Sequence, residues 1–386
     1  MHVVLIEHDE AELLYPFSLT HGTWELRAGF HTIAERWSAA LPDCIVHVYS
    51  HRIGIQAAYV SRRDHATVPY QGGATLIVLG NLLTAPDVMS SMVGLCRDSK
   101  TAIHFMVGSQ TAGVYLPSHD GTIDDLSITL DAIQPESIDA VHIDGHLVTR
   151  LWQVLDRISD GARWDATLRK GLPSTATVHP SVVLDESAGP IIIGDGAVIG
   201  PFCVLQGPIV IGDHSIVKPH SHISSTITGP QCRVSGEISG SIFHGYSNKQ
   251  HAGFVGNSYI GEWVNLGAGT TTSNLKNTYS HVRPSMPWDR EDSQRMFLGS
   301  LIGDHTRTAI GTLLPTGGVY GVSNAIFTTS SAPSSRRSFM WDGERYDFHK
   351  ALATMRTVMS RRDKTLTIQE EELLLSVFQE DAAPEA

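Results

Sequence analysis

Charge and cysteine are both scarce in this sequence: of 386 residues, 18% are charged and four are cysteine. Asp and Glu outnumber Lys and Arg by 40 to 28, a net charge of −12. Phosphate backbones are bound through clustered Lys and Arg, so this balance argues against a general nucleic-acid binder. Lys100 is the sole lysine among residues 1–150. Cys44, Cys96, Cys203 and Cys232 stand far apart with no CxxC pair. That spacing argues against a zinc knuckle and a dense disulfide framework, and it fits a reducing cytoplasm. No apolar run approaches the roughly 20 residues that cross a bilayer. The opening Met-His-Val-Val-Leu-Ile-Glu lacks the basic start and long apolar core of a secretory leader. What the sequence has in quantity is glycine, 35 residues, within a chain that is 41% hydrophobic. At about 150 residues per domain, this is material for two or three packed domains.

The first part of the chain reads as α/β. Val3–Glu7 and Thr75–Leu79 are short apolar runs of buried-strand type, Thr32–Ala39 is helical in pattern, and Ala102–Val107 and Ala140–Ile143 are further strands. Strands interleaved with helices predict a mainly parallel sheet, with ligands at the carboxyl ends of the strands. The loops Glu7–Arg27 and Gly80–Pro86 then flank any site. From Leu147 to Leu168, Leu151, Val154, Leu155 and Ile158 give a helical connection.

The period changes beyond it. Between Val178 and Val322 an aliphatic residue returns every six positions, often followed by Gly or Asp, with a small residue four places on. Examples are Ile193-Gly-Asp-Gly-Ala197, Ile199-Gly-Pro-Phe-Cys203, Ile211-Gly-Asp-His-Ser215 and, further on, Ile260-Gly-Glu-Trp-Val264 and Ile302-Gly-Asp-His-Thr306. A six-residue period belongs to β-solenoids, where each short strand stacks its inward residue on that of the next coil. An antiparallel sandwich would alternate with period two instead. The run resembles the hexapeptide-repeat, left-handed β-helix family. Two breaks are expected, Ile238–Asn257 and Leu275–Phe297, where insertions would form loops on one face. Thr328–Arg337 reads as a Ser/Pro-rich loop. Two helices then cover the open end of the solenoid: Leu352, Met355 and Met359 share a face of the first, and Thr367-Ile-Gln-Glu370 is a capping box for the second.

The stretch His251-Ala-Gly-Phe-Val-Gly-Asn-Ser-Tyr-Ile-Gly-Glu-Trp-Val-Asn265-Leu-Gly-Ala268-Gly-Thr-Thr-Thr-Ser-Asn274 resembles the acetyltransferase half of the bifunctional glucosamine-1-phosphate acetyltransferase/N-acetylglucosamine-1-phosphate uridylyltransferase (GlmU) family. Tyr246-Ser-Asn-Lys-Gln-His251, Gly261-Glu-Trp-Val-Asn-Leu-Gly-Ala268 and Ser273-Asn-Leu-Lys-Asn277 are closer still to an alternate GlmU-like group of sugar nucleotidyltransferases. That resemblance implies an α/β nucleotidyltransferase-like domain over residues 1–146, a helical linker over 147–170, a left-handed β-helix acyltransferase domain over 171–327 and a C-terminal loop and helices over 328–386. It also implies a homotrimer working on acetyl-CoA, a sugar phosphate and an NTP in UDP-N-acetylglucosamine synthesis.

Acyl transfer from a thioester to a sugar amine needs a base near neutral pH and N–H donors for the oxyanion. His251 in its Gly-flanked loop suits the first role, and the backbone of Gly267–Gly269 is the expected source of the second. The resemblance assigns His251 as base, Asn265 to the sugar, and Ala268 and Asn274 to the acyl-CoA. Lys249 is the candidate partner of the sugar phosphate, and Phe254 stands where the better-known enzymes carry a substrate-binding tyrosine. His214, His220, His222 and His305 read as surface or structural residues.

The N-terminal resemblance rests on Tyr15-Pro-Phe-Ser-Leu-Thr20, Glu25-Leu-Arg27-Ala-Gly29 and Thr32-Ile-Ala-Glu35-Arg-Trp37. The Gly-rich phosphate loop of nucleotidyltransferases is absent after Val3–Glu7, and Gly80-Asn81 stands in place of a Gly-Asp metal motif. Nucleotidyl transfer needs a divalent cation and cationic groups. Arg27 is the candidate phosphate contact, balanced against an ion pair with Glu25 or Glu35, and Asp9 and Asp144 are the candidate Mg²⁺ carboxylates. A non-catalytic N-terminal domain stays open as an alternative. So do a scaffold solenoid and, more distantly, a zinc site of γ-carbonic-anhydrase type.

Overall fold

Val3, Val4, Leu5 and Ile6 are buried to 2% exposure or less, which only a strand covered on both faces achieves. In the computed structural model this strand, β1 (His2–Ile6), lies at the heart of the first of two compact units. The structure describes residues 1–7, 9–62, 68–125, 140–169, 173, 175–328 and 331–381. The first unit comprises Met1–Leu13, His21–Leu26 and His31–Thr149; the second comprises Leu14–Thr20, Arg27–Phe30 and Arg150–Ala386. The expected boundary at residues 170–171 lies outside the described residues.

In the first unit β1 joins β2 (Ile45–Tyr49), β3 (Thr75–Leu79), β5 (Ile103–Val107), β6 (Gln110–Leu116) and β7 (Ala140–His142) in the order β2-β1-β3-β6-β5-β7. A short β4 (Leu82–Leu83) pairs with β8 (His146–Leu147). Helices α1 (Ile33–Ala40), α2 (Ile53–Ser61) and α3 (Pro86–Asp98) make the connections. The capping box of α1 is closed by Thr32 and Glu35.

The sheet is mixed rather than mainly parallel. β1 runs parallel to β2 and β3, but β6 is antiparallel to both β3 and β5. The cause is the two-residue turn between Val107 and Gln110, where Gly108 takes φ +57°. A glycine at the first central position of such a turn folds two adjacent runs into a hairpin.

In the second unit, parallel ladders run the length of the solenoid. One ladder connects Thr177, Val198, Ile216, Arg233 and Asn248, and bridges continue it to Asn265 and Arg307. Val198 and Ile216 are 18 residues apart, so one coil is three six-residue repeats and has three flat faces. The inward residues, Ile199, Val217, Val234, Ile238, Val255, Ile260 and Leu266 among them, form one continuous core.

The first expected break is not one. Ile242–Gly245, Asn248–Lys249 and Phe254–Gly256 continue the ladders in register. The sequence pattern is interrupted because Phe243 and Lys249 occupy inward positions that are aliphatic elsewhere. The second break is real: 42 residues separate the bridged pair Asn265 and Arg307. The inserted segment closes on itself through an antiparallel Leu275–Phe297 bridge and is tied to residues 150–156 by Arg150–Glu291 and Arg295–Asp156 ion pairs.

Glycine shares the αL turns of the solenoid, at Gly196, Gly269 and Gly311 among others, with larger residues. Several corners in the left-handed region carry large side chains, including Phe202, His214, His220, Tyr246, Trp263 and His305. Tyr246, Trp263 and His305 stack at one corner with centroids 4.3 and 6.3 Å apart. Glycine is also needed where coils approach closely: a Cβ on Gly267 would lie 2.5 Å from the Ala309 carbonyl oxygen.

Helix α4 (Ile158–Leu168) precedes the solenoid. Helices α5 (Phe348–Ser360) and α6 (Ile368–Glu380) close the chain, α6 with the expected Thr367–Glu370 capping box. They do not simply cover the last coil. Leu352, Met355, Met359, Leu374 and Val377 pack along the corner built from Trp263, Val322 and Phe339. The last coil is ended by an antiparallel pair, Met340–Trp341 with Glu344–Arg345. Within the segment read as a loop, residues 329–330 lie outside the described residues, and Ser335–Arg336 adds a rung to the ladder.

Candidate functional site

The turn that follows the strand Asn248–Lys249 carries His251 outward. Its ring is exposed, whereas Lys249, two residues before, is completely buried. Lys249 pairs in register with Val234 below and so stands in the inward column. Its Nζ donates to the carbonyl of His251 at 2.5 Å and to that of Ala252 at 2.8 Å. Burial pushes the lysine's pKa down to about 8. The expectation that Lys249 meets a sugar phosphate is therefore corrected: the inward register buries its ammonium under the turn instead of presenting it.

The turn is packed around that ammonium. Gly253 has φ +133°, and a Cβ there would meet the Thr270 carbonyl oxygen at 2.3 Å and Lys249 Nζ at 3.0 Å. The Ala252 carbonyl also accepts from the N–H of Gly269 at 2.9 Å, which joins the His251 turn to the Gly267–Gly269 turn. That bond changes the expected oxyanion donors. The Gly269 N–H is committed to Ala252, and the Gly267 N–H to Thr308 Oγ1 at 3.0 Å. Ala268 sits half-buried between them, its carbonyl accepting from Gly311 at 2.7 Å.

Phe254 and Asn274 are brought together over Gly256. A Cβ on Gly256 would lie 2.4 Å from the Phe254 ring and 2.7 Å from Asn274 Nδ2, so only glycine leaves room for both. Asn274 Nδ2 donates to Asn257 Oδ1 at 2.8 Å. Asn265 is exposed on the outward column next to the inward one, between Asn248 and Arg307.

Arg233, Asn248, Arg307 and Arg362 were not singled out from the sequence. Arg362 follows α5 and donates to Asn248 Oδ1 at 2.9 Å. Burial lowers the pKa of both Arg307 and Arg362, and Arg307 Nη2 is buried without a partner among the described residues. The signal for Arg233, Asn248 and Arg307 is the position one residue before each inward residue of the repeat; Arg362, beyond the repeat, has none. The histidines read as structural have such places: His220 stacks on Phe202 at 5.1 Å, and His222 Nε2 lies 2.8 Å from Gln206 Oε1.

In the first unit, the strand order reverses between β1 and β3, where a doubly wound sheet opens its ligand crevice. Here the chain's own residues fill that position. The Glu7 carboxylate, just past β1, accepts from the Thr23 N–H at 3.0 Å and from Arg52 Nε and Nη2 at 2.8 and 2.6 Å, with Ser50 Oγ as a further partner. Gly80, just past β3, lies so close to Thr23 that a Cβ would be 2.5 Å from its Oγ1. Glu25 anchors the same segment through His21 and Arg62; burial alone would raise its pKa, but the Arg62 guanidinium and hydrogen bonds from His21 and the Gly22 N–H hold it at about 2.

Arg27 does not join this unit. It is buried in the second, with Nε donating to the His244 carbonyl at 3.1 Å and Nη1 to the Phe30 carbonyl. The expected phosphate contact thus has its guanidinium engaged by main-chain carbonyls. The carboxylates weighed as its partners are used elsewhere, Glu35 in the α1 cap and Glu25 with Arg62. Asn81 donates to the Val148 carbonyl at 3.0 Å. Asp144 is exposed, its carbonyl accepting from Thr84 Oγ1 at 2.6 Å, and Asp9 begins the short 3₁₀ turn Asp9–Leu14. Among the described residues, no group of three or more His, Cys, Asp or Glu could hold a metal ion.

The second unit is thus a parallel β-helix of six-residue repeats, of the left-handed kind, with an exposed histidine on one turn. Residues 190–225 match the family described as bacterial transferase hexapeptide (six repeats), and residues 3–170 match the sugar nucleotidyl transferase family. Among curated relatives, the bifunctional sugar-1-phosphate nucleotidylyltransferase/acetyltransferase of Sulfurisphaera tokodaii is 40% identical over 83 residues, 21% of each chain. The bifunctional protein GlmU of Methanococcus aeolicus is 32% identical over 199 residues, 50% of this chain and 46% of the relative. GlmU of Nostoc sp. is 28% identical over 199 residues, 50% of this chain and 34% of the relative. Over these segments the chain resembles GlmU proteins and the hexapeptide-repeat family, and it spans less than half the length of these relatives. Among the described residues no helix is long and apolar enough to cross a membrane.

Proposed function

We propose that this chain is a transferase of sugar-nucleotide synthesis whose solenoid moves an acetyl group from acetyl-CoA to the amine of an amino-sugar 1-phosphate. The observation that carries the reading is the exposed imidazole of His251 on a turn held from beneath by Lys249. In the reaction the amine nitrogen bonds to the thioester carbonyl carbon and the C–S bond breaks. His251 takes the amine proton as attack proceeds and returns a proton to the departing thiolate. Asn265 holds the sugar. Phe254, standing in place of a tyrosine, gives the substrate side an apolar wall, and Ala268 and Asn274 line the acyl-CoA side. The working unit on this reading is a cytoplasmic homotrimer with the acyl-CoA between adjacent solenoids.

The second reading concerns the first unit, and one observation favours it. Glu7, Arg52 and Thr23 occupy the strand ends at which a nucleotide would bind, so this unit serves as a non-catalytic domain. On the fully bifunctional alternative, Asp9 and Asp144 would be the carboxylates for Mg²⁺, and Arg27 would have to leave its carbonyl partners to meet the phosphates.

The experiment is one preparation of the full chain given acetyl-CoA, a panel of amino-sugar 1-phosphates and the four NTPs, with products read by mass spectrometry and pyrophosphate measured separately. Acetylated sugar phosphate without pyrophosphate is the expected result. No acetylated product from any sugar overturns the acyl-transfer reading, and pyrophosphate release overturns the second.

A further inference from the structure

A lysine inside a solenoid core is costly. Its charge loses water, and an aliphatic residue would pack the column without that penalty. The neighbours of Lys249 along the column are Val217 and Val234 on one side and Leu266 on the other. All three are buried, as is Lys249 itself. The physical question is what its ammonium does there.

Its contacts answer. Nζ reaches two successive carbonyls, those of His251 and Ala252. Main-chain carbonyls in a corner turn ordinarily face solvent or the next coil; here both converge on a single buried cation, giving charge-assisted hydrogen bonds. The Ala252 oxygen is shared with the Gly269 N–H, and Gly253 is confined by Thr270 and by Nζ. The His251 side chain lies outside this cage, exposed. The direction in which the imidazole leaves the turn is therefore set by the conformation of its own backbone, and that backbone is fixed from within.

We propose that Lys249 is a positioning residue for His251, an internal brace that fixes the base-bearing turn and locks it to the Gly267–Gly269 turn of the next coil. It touches no reacting atom. This inference rests on the reading of His251 as the base, and it explains the lysine without requiring a phosphate contact. A methionine at this position would fill the same column with no N–H to donate, leaving two turn carbonyls without their partner. The turn would relax by a fraction of an ångström to an ångström, enough to cost about 10- to 100-fold in rate when the group displaced is a general base.

The test uses the full chain with K249M, H251A and the double variant, with acetyl-CoA and glucosamine 1-phosphate as probe substrates and CoA thiol release as the signal. The expected K249M result is a kcat lowered about 10- to 100-fold, with KM for acetyl-CoA and melting temperature close to wild type. In the H251A background, K249M should cost nothing further, because the brace has no base left to position. Equal losses in both backgrounds, or wild-type kcat in K249M, overturn the proposal. Amide hydrogen exchange at residues 251–253 tests the brace without reference to activity: it rises in K249M if Lys249 fixes the turn, and an unchanged rate overturns the proposal. Failure of the functional reading has a different signature, namely H251A turning over at the wild-type rate.

Discussion

The carboxyl end of β1 and the turn that bears His251 each rest on a buried charge, and they use it in opposite ways. In the first unit the Glu7 carboxylate meets Arg52, Ser50 and the Thr23 N–H. All four groups turn inward on the place where a doubly wound sheet receives its ligand. In the second unit the Lys249 ammonium is satisfied by the carbonyls of the turn itself, and the adjoining imidazole is left exposed. A buried charge must find partners in either setting. Which partners it takes decides whether the surface beside it is closed or available to a ligand. Within this chain the device fills the strand ends in one unit and holds an exposed turn from beneath in the other.

The largest structural effect is expected at the closed end. Arg52→Ala leaves the Glu7 carboxylate buried without its guanidinium, a loss of about 3–5 kcal/mol. It should appear as accelerated hydrogen exchange in β1, β2 and β3, with the solenoid peptides unchanged. Exchange that rises equally in both units would break the comparison. A smaller effect is expected from the Lys249 charge. Its pKa, pushed down to about 8 from the ordinary 10.5, means that between those values the unfolded chain holds more protons than the folded one. Stability therefore rises with pH across that window, by at most about 1.4 kcal/mol per unit. K249M should flatten this rise in denaturant titrations made at pH 7.5 to 10.5; an identical slope in both proteins would show that the ammonium is not buried in solution. The smallest effect belongs to the helical end of the second unit. Thr367→Ala removes the cap of α6 and should cost about 1 kcal/mol, read as a lower melting temperature with acetyl transfer retained.

The solenoid was legible in the sequence because its core is periodic: an inward aliphatic residue every sixth position sets strand, turn and coil together. Where Phe243 and Lys249 stand inward, the same rule read the chain as an insertion, although the ladder runs on through Phe254–Gly256. The mixed sheet was missed for a local reason. A Gly-Ser turn between two short runs signals a hairpin, but alternating strands and helices drew attention to crossovers. The candidate site could be proposed from resemblance at His251, Asn265 and Asn274. It was not legible at Lys249 or Arg27, because a residue's type says that it is charged and not whether its register turns it inward. The fate of Arg27 depended on His244, 217 residues away, a contact that no local pattern encodes. Likewise the use of the Gly267 and Gly269 N–H groups depended on Thr308 and Ala252 in adjoining turns.

The central claim is that chemistry in this chain runs through the exposed imidazole of the solenoid. Its most direct test is the acetyl-transfer rate of His251→Ala against wild type, on protein whose melting temperature is measured alongside. The account predicts a fall in kcat of at least about 100-fold with the melting temperature unchanged, since the ring is exposed and supports no packing. A His251→Ala protein that transfers acetyl groups at the wild-type rate would contradict it.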